Sequence, residues 1–124
     1  MKPTALFDSW AWIEISNKSD KVYKLRKYYG HSIIISTINC LEVYSKLSLE
    51  NPARADEFVD YMLEIAEPIW VSQDLAIRAA QFKRKYKFSM ADAIILATAE
   101  YAGAKLVTGD PDFKDVSEVA VEII

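Results

Sequence analysis

One cysteine, one histidine and three glycines in a chain of 124 residues exclude several kinds of chemistry at once. The lone Cys40 rules out an internal disulfide, which points to a reducing, cytoplasmic setting, and its place before an apolar helix face makes it a core residue. The lone His31 lies in a predicted loop, so no Ser/His/Asp hydrolase set is available. Three glycines leave no glycine-rich phosphate loop. No apolar run approaches the length of a membrane span. The start, Met1-Lys2-Pro3-Thr4-Ala5-Leu6-Phe7-Asp8, is too short and too soon acidic for a signal peptide and reads as a strand beginning at once. Repeats, linkers and low-complexity segments are missing too. So is a strong charge of either sign: 15 basic and 18 acidic residues give a net charge of -3. That balance argues mildly against an unaided nucleic-acid binder, although the distribution of charge matters more than its sum.

What is present is a core. Hydrophobic residues make up 52% of the chain, enough for a single domain over residues 1–124, and 27% are charged. Thr4–Phe7 reads as a short buried strand ending at Asp8, and Ser9–Ile15, with Trp10 and Trp12, as a helix. After a break at Asn17–Asp20, a helix is predicted over Lys21–Tyr29, ended by Gly30. Ile33-Ile34-Ile35 within Ser32–Ser36 is a β-branched run suited to a strand buried on both faces. Thr37 is a plausible N-cap for a helix from Ile38 to Leu49, and Asn51-Pro52 opens another to about Ala66. Pro68–Val71 reads as a strand, Ser72 or Gln73 starts a helix to about Tyr86, and strands follow at Lys105–Thr108 and Ala120–Ile123. Short strands alternating with helices give parallel β/α units, an α/β fold of about five strands.

The stretch Ser89–Phe113 organises the rest. Ser89 suits an N-cap and Gly103 a left-handed C-terminal position, and the helix between them is apolar almost all round. Asp92 lies in its first turn, and Asp110 and Asp112 follow the Lys105–Thr108 strand. Asp8 also follows a strand. In open parallel sheets ligands bind beyond the carboxyl ends of the strands, so these acids should share one edge. Glu42 falls on a predicted stripe of Ile38, Leu41, Ser45 and Leu49, where a carboxylate needs a partner, a proton or a cation. Each acid also has an ordinary reading: a helix cap for Asp92, a turn for Asp110-Pro111-Asp112, a strand end for Asp8, a stripe edge for Glu42. As a set, carboxylates without neighbouring His or Cys select hard cations, Mg²⁺ or Mn²⁺ rather than zinc. Such a cluster suits phosphodiester cleavage by a metal-activated water.

At these residues the sequence resembles the PIN-domain ribonucleases, in particular the VapC-type toxins of prokaryotic toxin–antitoxin pairs. The family's four acids match Asp8 in Leu-Phe-Asp-Ser-Trp, Glu42 in Cys-Leu-Glu-Val-Tyr, Asp92 in Ser-Met-Ala-Asp-Ala and Asp110 in Thr-Gly-Asp-Pro-Asp, with Thr108 and Asp112 in accompanying positions. The resemblance implies a three-layer α/β/α fold around a parallel sheet, a Mg²⁺- or Mn²⁺-dependent endoribonuclease, a homodimer, and a cognate antitoxin that blocks the site. It implies Asp8, Asp92 and Asp110 as main metal-facing acids, Glu42 completing the cluster or orienting water, and Thr108 and Asp112 further out. One departure is Trp10, where many members carry a small hydroxyl or amide residue; Ser9 is the alternative source of that contact.

Because such a site is negative, RNA would be held by cations elsewhere. The candidates are Lys21, Lys24, Arg26 and Lys27, and Lys83, Arg84, Lys85 and Lys87, with neighbouring tyrosines to stack on bases; the alternative is a solvated helix face. The aromatic surplus around Trp10 and Trp12 and along Asp56–Ala66 reads either as core or as a subunit or antitoxin contact. Two rival functions remain. A phospho-receiver domain shares the size and plan, but it wants an Asp after the central strand and a Lys ending the last one. Here those strands end Ile35-Ser36-Thr37 and Glu122-Ile123-Ile124. A PIN-like fold used only for binding is the other.

Overall fold

The computed structural model describes residues 3–124. Met1 and Lys2, which open the predicted N-terminal strand stretch, lie outside them. Five parallel strands, β1 (Thr4–Phe7), β2 (Ser32–Ser36), β3 (Glu67–Ile69), β4 (Lys105–Thr108) and β5 (Val121–Ile123), form one sheet in the order β3-β2-β1-β4-β5. The helices are α1 (Ser9–Ser16), α2 (Thr37–Ser48), α3 (Pro52–Ile65), α4 (Gln73–Tyr86) and α5 (Met90–Ala102). No helix among the described residues is long and apolar enough to cross a membrane.

Alternation along each strand divides the core in two. Leu6, Ile34 and Leu106 face α4 and α5, meeting Leu75, Phe82, Ile95 and Leu96. Ala5, Phe7, Ile35 and Val107 face the opposite side, meeting Trp12, Leu25, Val43 and Met62. This is the period-two consequence of the pleat, and it makes three layers. The central strand is β1, not β2: the chain winds outward through β2 and β3, then returns to lay β4 on β1's free side. The direction of winding therefore reverses at the β1/β4 crevice, where open α/β sheets bind ligands. A receiver domain has the order 2-1-3-4-5 and is excluded by this topology.

Three local expectations are corrected and one is refined. The helix predicted over Lys21–Tyr29 is a 3₁₀-helix, Asp20–Tyr28. Its apolar residues Val22, Leu25 and Tyr28 are spaced by three, and three-residue turns stack them on one buried side. Helix α2 is capped by Ser36, not Thr37, through a reciprocal capping box with Asn39. Its buried face is Asn39, Val43 and Leu47, whereas the stripe residues Leu41 and Leu49 are 61% and 87% exposed. The edge strands are Glu67–Ile69 and Val121–Ile123, each shorter than predicted. The caps of α5, Ser89 and Gly103 (φ 62°), are as expected.

Candidate active site at the β1/β4 crevice

Asp8 leaves β1 and caps α1: one carboxylate oxygen accepts from the Ala11 N–H at 2.9 Å. Its other oxygen accepts from the Thr108 hydroxyl, which itself accepts from the Asp110 N–H at 2.9 Å. Thr108, fully buried at the end of β4, thus ties the first acid to the last. Asp110 caps the 3₁₀ turn Pro111–Phe113 by accepting from the Asp112 N–H. The turn reading of Asp110 is therefore correct, and it leaves the second carboxylate oxygen for the crevice.

Asp92 sits in the first turn of α5. Ser89 accepts from the Asp92 N–H at 3.2 Å, which is one half of a capping box; in α2 both halves are made. Glu42 accepts from the Ser9 hydroxyl at 2.6 Å, and Asn39 donates to that hydroxyl at 3.0 Å while accepting from the Ser36 N–H. Ser9 thus holds Glu42. Asn39 is the polar residue that the sequence reading missed. Its signal was the Ser36-x-x-Asn39 spacing, masked by the equally acceptable cap at Thr37.

One cleft of about 390 Å³ is lined by Asp8, Ser9, Trp10, Glu42, Asp92 and Asp110, with Ile95, Gly109 and Pro111. None of the four acids is in an ion pair among the described residues. Burial raises the pKa of Asp8 to about 6 against the pull of its two hydrogen bonds, and the charges of Asp92 and Asp110 add to the rise. Asp92 is raised as well, first by burial, then by Asp110, with Glu42 and Asp112 contributing. The carboxylates therefore feel one another across the cleft. Among the described residues, no three of them already stand as a coordination sphere. The donors fit a divalent ion in kind: they are oxygens, they crowd, and among the described residues no cation pairs with them.

The predicted cations divide. Lys27 pairs with Glu122 at 2.6 Å and Lys85 with Glu118 at 2.7 Å, so both are engaged in fastening the last strand and its approach. Lys24 is half-buried, whereas Arg26, Lys83, Arg84 and Lys87 are exposed. Lys21 lies over the Trp10 ring, 5.0 Å from its centroid. Of the aromatic surplus, Trp12 is core, packed on Phe7 and Phe58, while Tyr61, Leu63 and Ile65 of α3 are exposed. Cys40 packs beside that core, and burial raises its thiol, so little thiolate forms near neutral pH.

The sequence matches the family model for the PIN domain over residues 5–119. A toxin–antitoxin complex from Klebsiella pneumoniae contains a chain of similar fold, with a TM-score of 0.82, 27% identity, and coverage of 97% of this chain and 99% of that one. VapBC2 from Rickettsia felis, bound to a promoter DNA fragment, is similar at a TM-score of 0.82 and 20% identity over 98% of both chains. VapC20 from Mycobacterium tuberculosis, a Sarcin-Ricin loop cleaving toxin, is similar at 0.73 and 16% identity, over 93% of this chain and 98% of that one. No curated protein sequence matches the chain significantly.

Proposed function

The chain belongs to the PIN-domain family, and from that premise we infer that it is the toxin of a toxin–antitoxin pair, a ribonuclease that works with Mg²⁺ or Mn²⁺. The observation that carries this reading is the convergence of acids from β1, α2, α5 and the turn after β4 on one cleft. Asp8, Glu42, Asp92 and Asp110 would hold the ion. A divalent ion there would supply positive charge at a phosphodiester and lower the pKa of the attacking water.

The chain's own residues set the geometry. Thr108 fixes the spacing of Asp8 and Asp110 through one hydroxyl. Ser9 and Asn39 fix the Glu42 carboxylate, which leaves its second oxygen to orient water. Asp112 adds negative charge that Asp92 senses. Substrate RNA would be held by the exposed basic side chains at the end of α4 and by Lys21 rather than by the acids. A cognate antitoxin fits the exposed apolar side chains Leu41 and Tyr44 on the helix that carries Glu42. A homodimer fits the apolar groove between α4 and α5, lined by Ala76, Ala80, Met90 and Ile94.

Cleavage of structured RNAs with Mg²⁺, Mn²⁺ or EDTA tests the reading. Activity should require the ion, and Asp8→Asn and Asp92→Asn should each nearly abolish it, because each removes a charge that would hold the ion. Unchanged metal-dependent cleavage in both variants would overturn the site.

A further inference from the structure

Trp10 stands in the cleft although nothing in the metal-facing set uses it. Trp12 is wholly buried, whereas Trp10 rests one side on the same core and leaves the rest of its indole in the cleft. Trp10 is only half-buried, and it packs against the backbone of Gly109, between Thr108 and Asp110. A Cβ at Gly109 would fall 2.3 Å from the Trp10 ring, so glycine is required there by contact. The exposed Lys21 ammonium lies 5.0 Å from the ring centroid. Trp10 thus lines the cleft beside the acids and carries an exposed cation on its ring.

We propose that Trp10 is the stacking platform for an unpaired nucleobase next to the scissile phosphodiester, with Lys21 taking an adjoining phosphate. This rests on the ribonuclease reading and specifies how its substrate is gripped. Base–aromatic stacking needs a π-face and tolerates any base, so the site selects single-stranded or splayed-out RNA rather than a base identity. Lys21 is suited to the second task because a cation over an exposed ring is held weakly and swings to a phosphate at little cost.

The test measures binding without cleavage, in EDTA, using 2′-O-methyl oligonucleotides of eight adenosines or eight uridines and an abasic backbone of the same length. Trp10→Ala should weaken binding of the base-bearing strands about 5- to 100-fold, the range set by loss of one stack, and leave the abasic strand unchanged. Trp10→Phe should retain most of the affinity and guards against a folding failure in the alanine variant. Lys21→Gln should weaken both strands alike. Equal loss on base-bearing and abasic strands, or no loss on either, would overturn the platform while leaving the nuclease reading intact. Preferential binding of a peptide partner through Trp10, with no RNA effect, would do the same. No RNA binding by the unaltered protein, in EDTA or with Mg²⁺ present, would instead defeat the ribonuclease reading itself.

Discussion

At the scale of single residues, Asp8 is the cleft acid whose charge folding opposes most plainly. Its pKa, raised from 3.8 to about 6, means that folding disfavours its charge. Below about pH 4 both folded and unfolded chains hold the proton, and nothing is lost. Between there and about pH 6 the unfolded chain has released its proton while the folded one has not, so stability falls as pH rises. Above that the loss is constant, about 3 kcal/mol for a shift of this size at a largely buried group. Asp8→Asn keeps the oxygen that accepts from Ala11 and removes the charge. In EDTA it should therefore be more stable than the unaltered protein at pH 7.5 by about 1–3 kcal/mol, and the difference should vanish towards pH 4. Urea unfolding at the two pH values measures this; a variant less stable at both would show that the Thr108 bond outweighs the charge. Asp8, Asp92 and Asp110 were legible in the sequence because strand ends and helix starts are punctuated locally. The stripe predicted around Glu42 holds only at Ile38, since Leu41, Ser45 and Leu49 are exposed; Glu42 lies one position from Val43 on the buried face and reaches the cleft from its edge.

Elements show where local reading fails and why. The α5 helix was legible throughout because its caps and its almost uniform apolarity agree. In Asp20–Tyr28 the helix was legible but its type was not, because i,i+3 spacing is shared by α and 3₁₀ helices, and only the turn count decides which. In α2 two adjacent hydroxyls compete for the cap, and the choice of Ser36 is made by Asn39, which is fully buried and bonded at both ends. Its removal should act on the whole element. Asn39→Ala leaves the Ser36 N–H and one Ser9 bond unmet in a buried place, so denaturant midpoints should report a loss of about 1–3 kcal/mol. Because Ser9 then holds Glu42 alone, cleavage should fall further than stability explains. Ala55→Gly, which weakens α3 through helix propensity by about 1 kcal/mol and touches no cleft residue, supplies the comparison. Equal activity in the two variants at matched stability would remove Asn39 from the site.

Across the whole molecule, the strand order could not be read from the sequence. Five apolar runs are compatible with several windings, and the return of β4 to β1 is fixed by packing α4 and α5 over Leu6 and Leu106, contacts between residues about a hundred positions apart. The same long-range packing decides which cations are free to meet RNA. In sequence Lys27 and Lys85 look like Lys21 and Lys83. In space Lys27 and Tyr28 both grip Glu122, and Lys85 and Tyr86 both grip Glu118, so two similar clamps fasten the last strand and the segment before it from opposite faces of the sheet. A cation already spent on a carboxylate releases no counterion from a phosphate, so it contributes little to the salt dependence of binding. Lys21, Lys83, Arg84 and Lys87 face no such partner among the described residues. For single-stranded RNA, each phosphate contact adds about 0.7 to the slope of log affinity against log salt. Glutamine at Lys83, Arg84 and Lys87 together should therefore lower the slope by about 1–2 and weaken binding at low salt. Glutamine at Lys27 and Lys85 together should leave the slope nearly unchanged and lower the thermal midpoint instead, because Glu118 loses its ion pair and Glu122 keeps only the longer one, to Lys105 at 3.5 Å. Filter binding between about 50 and 200 mM salt, paired with thermal melts, separates the two sets. If the clamp pair carried the salt dependence and the α4 cluster did not, RNA would have to approach along the β5 edge rather than over the β1/β4 cleft.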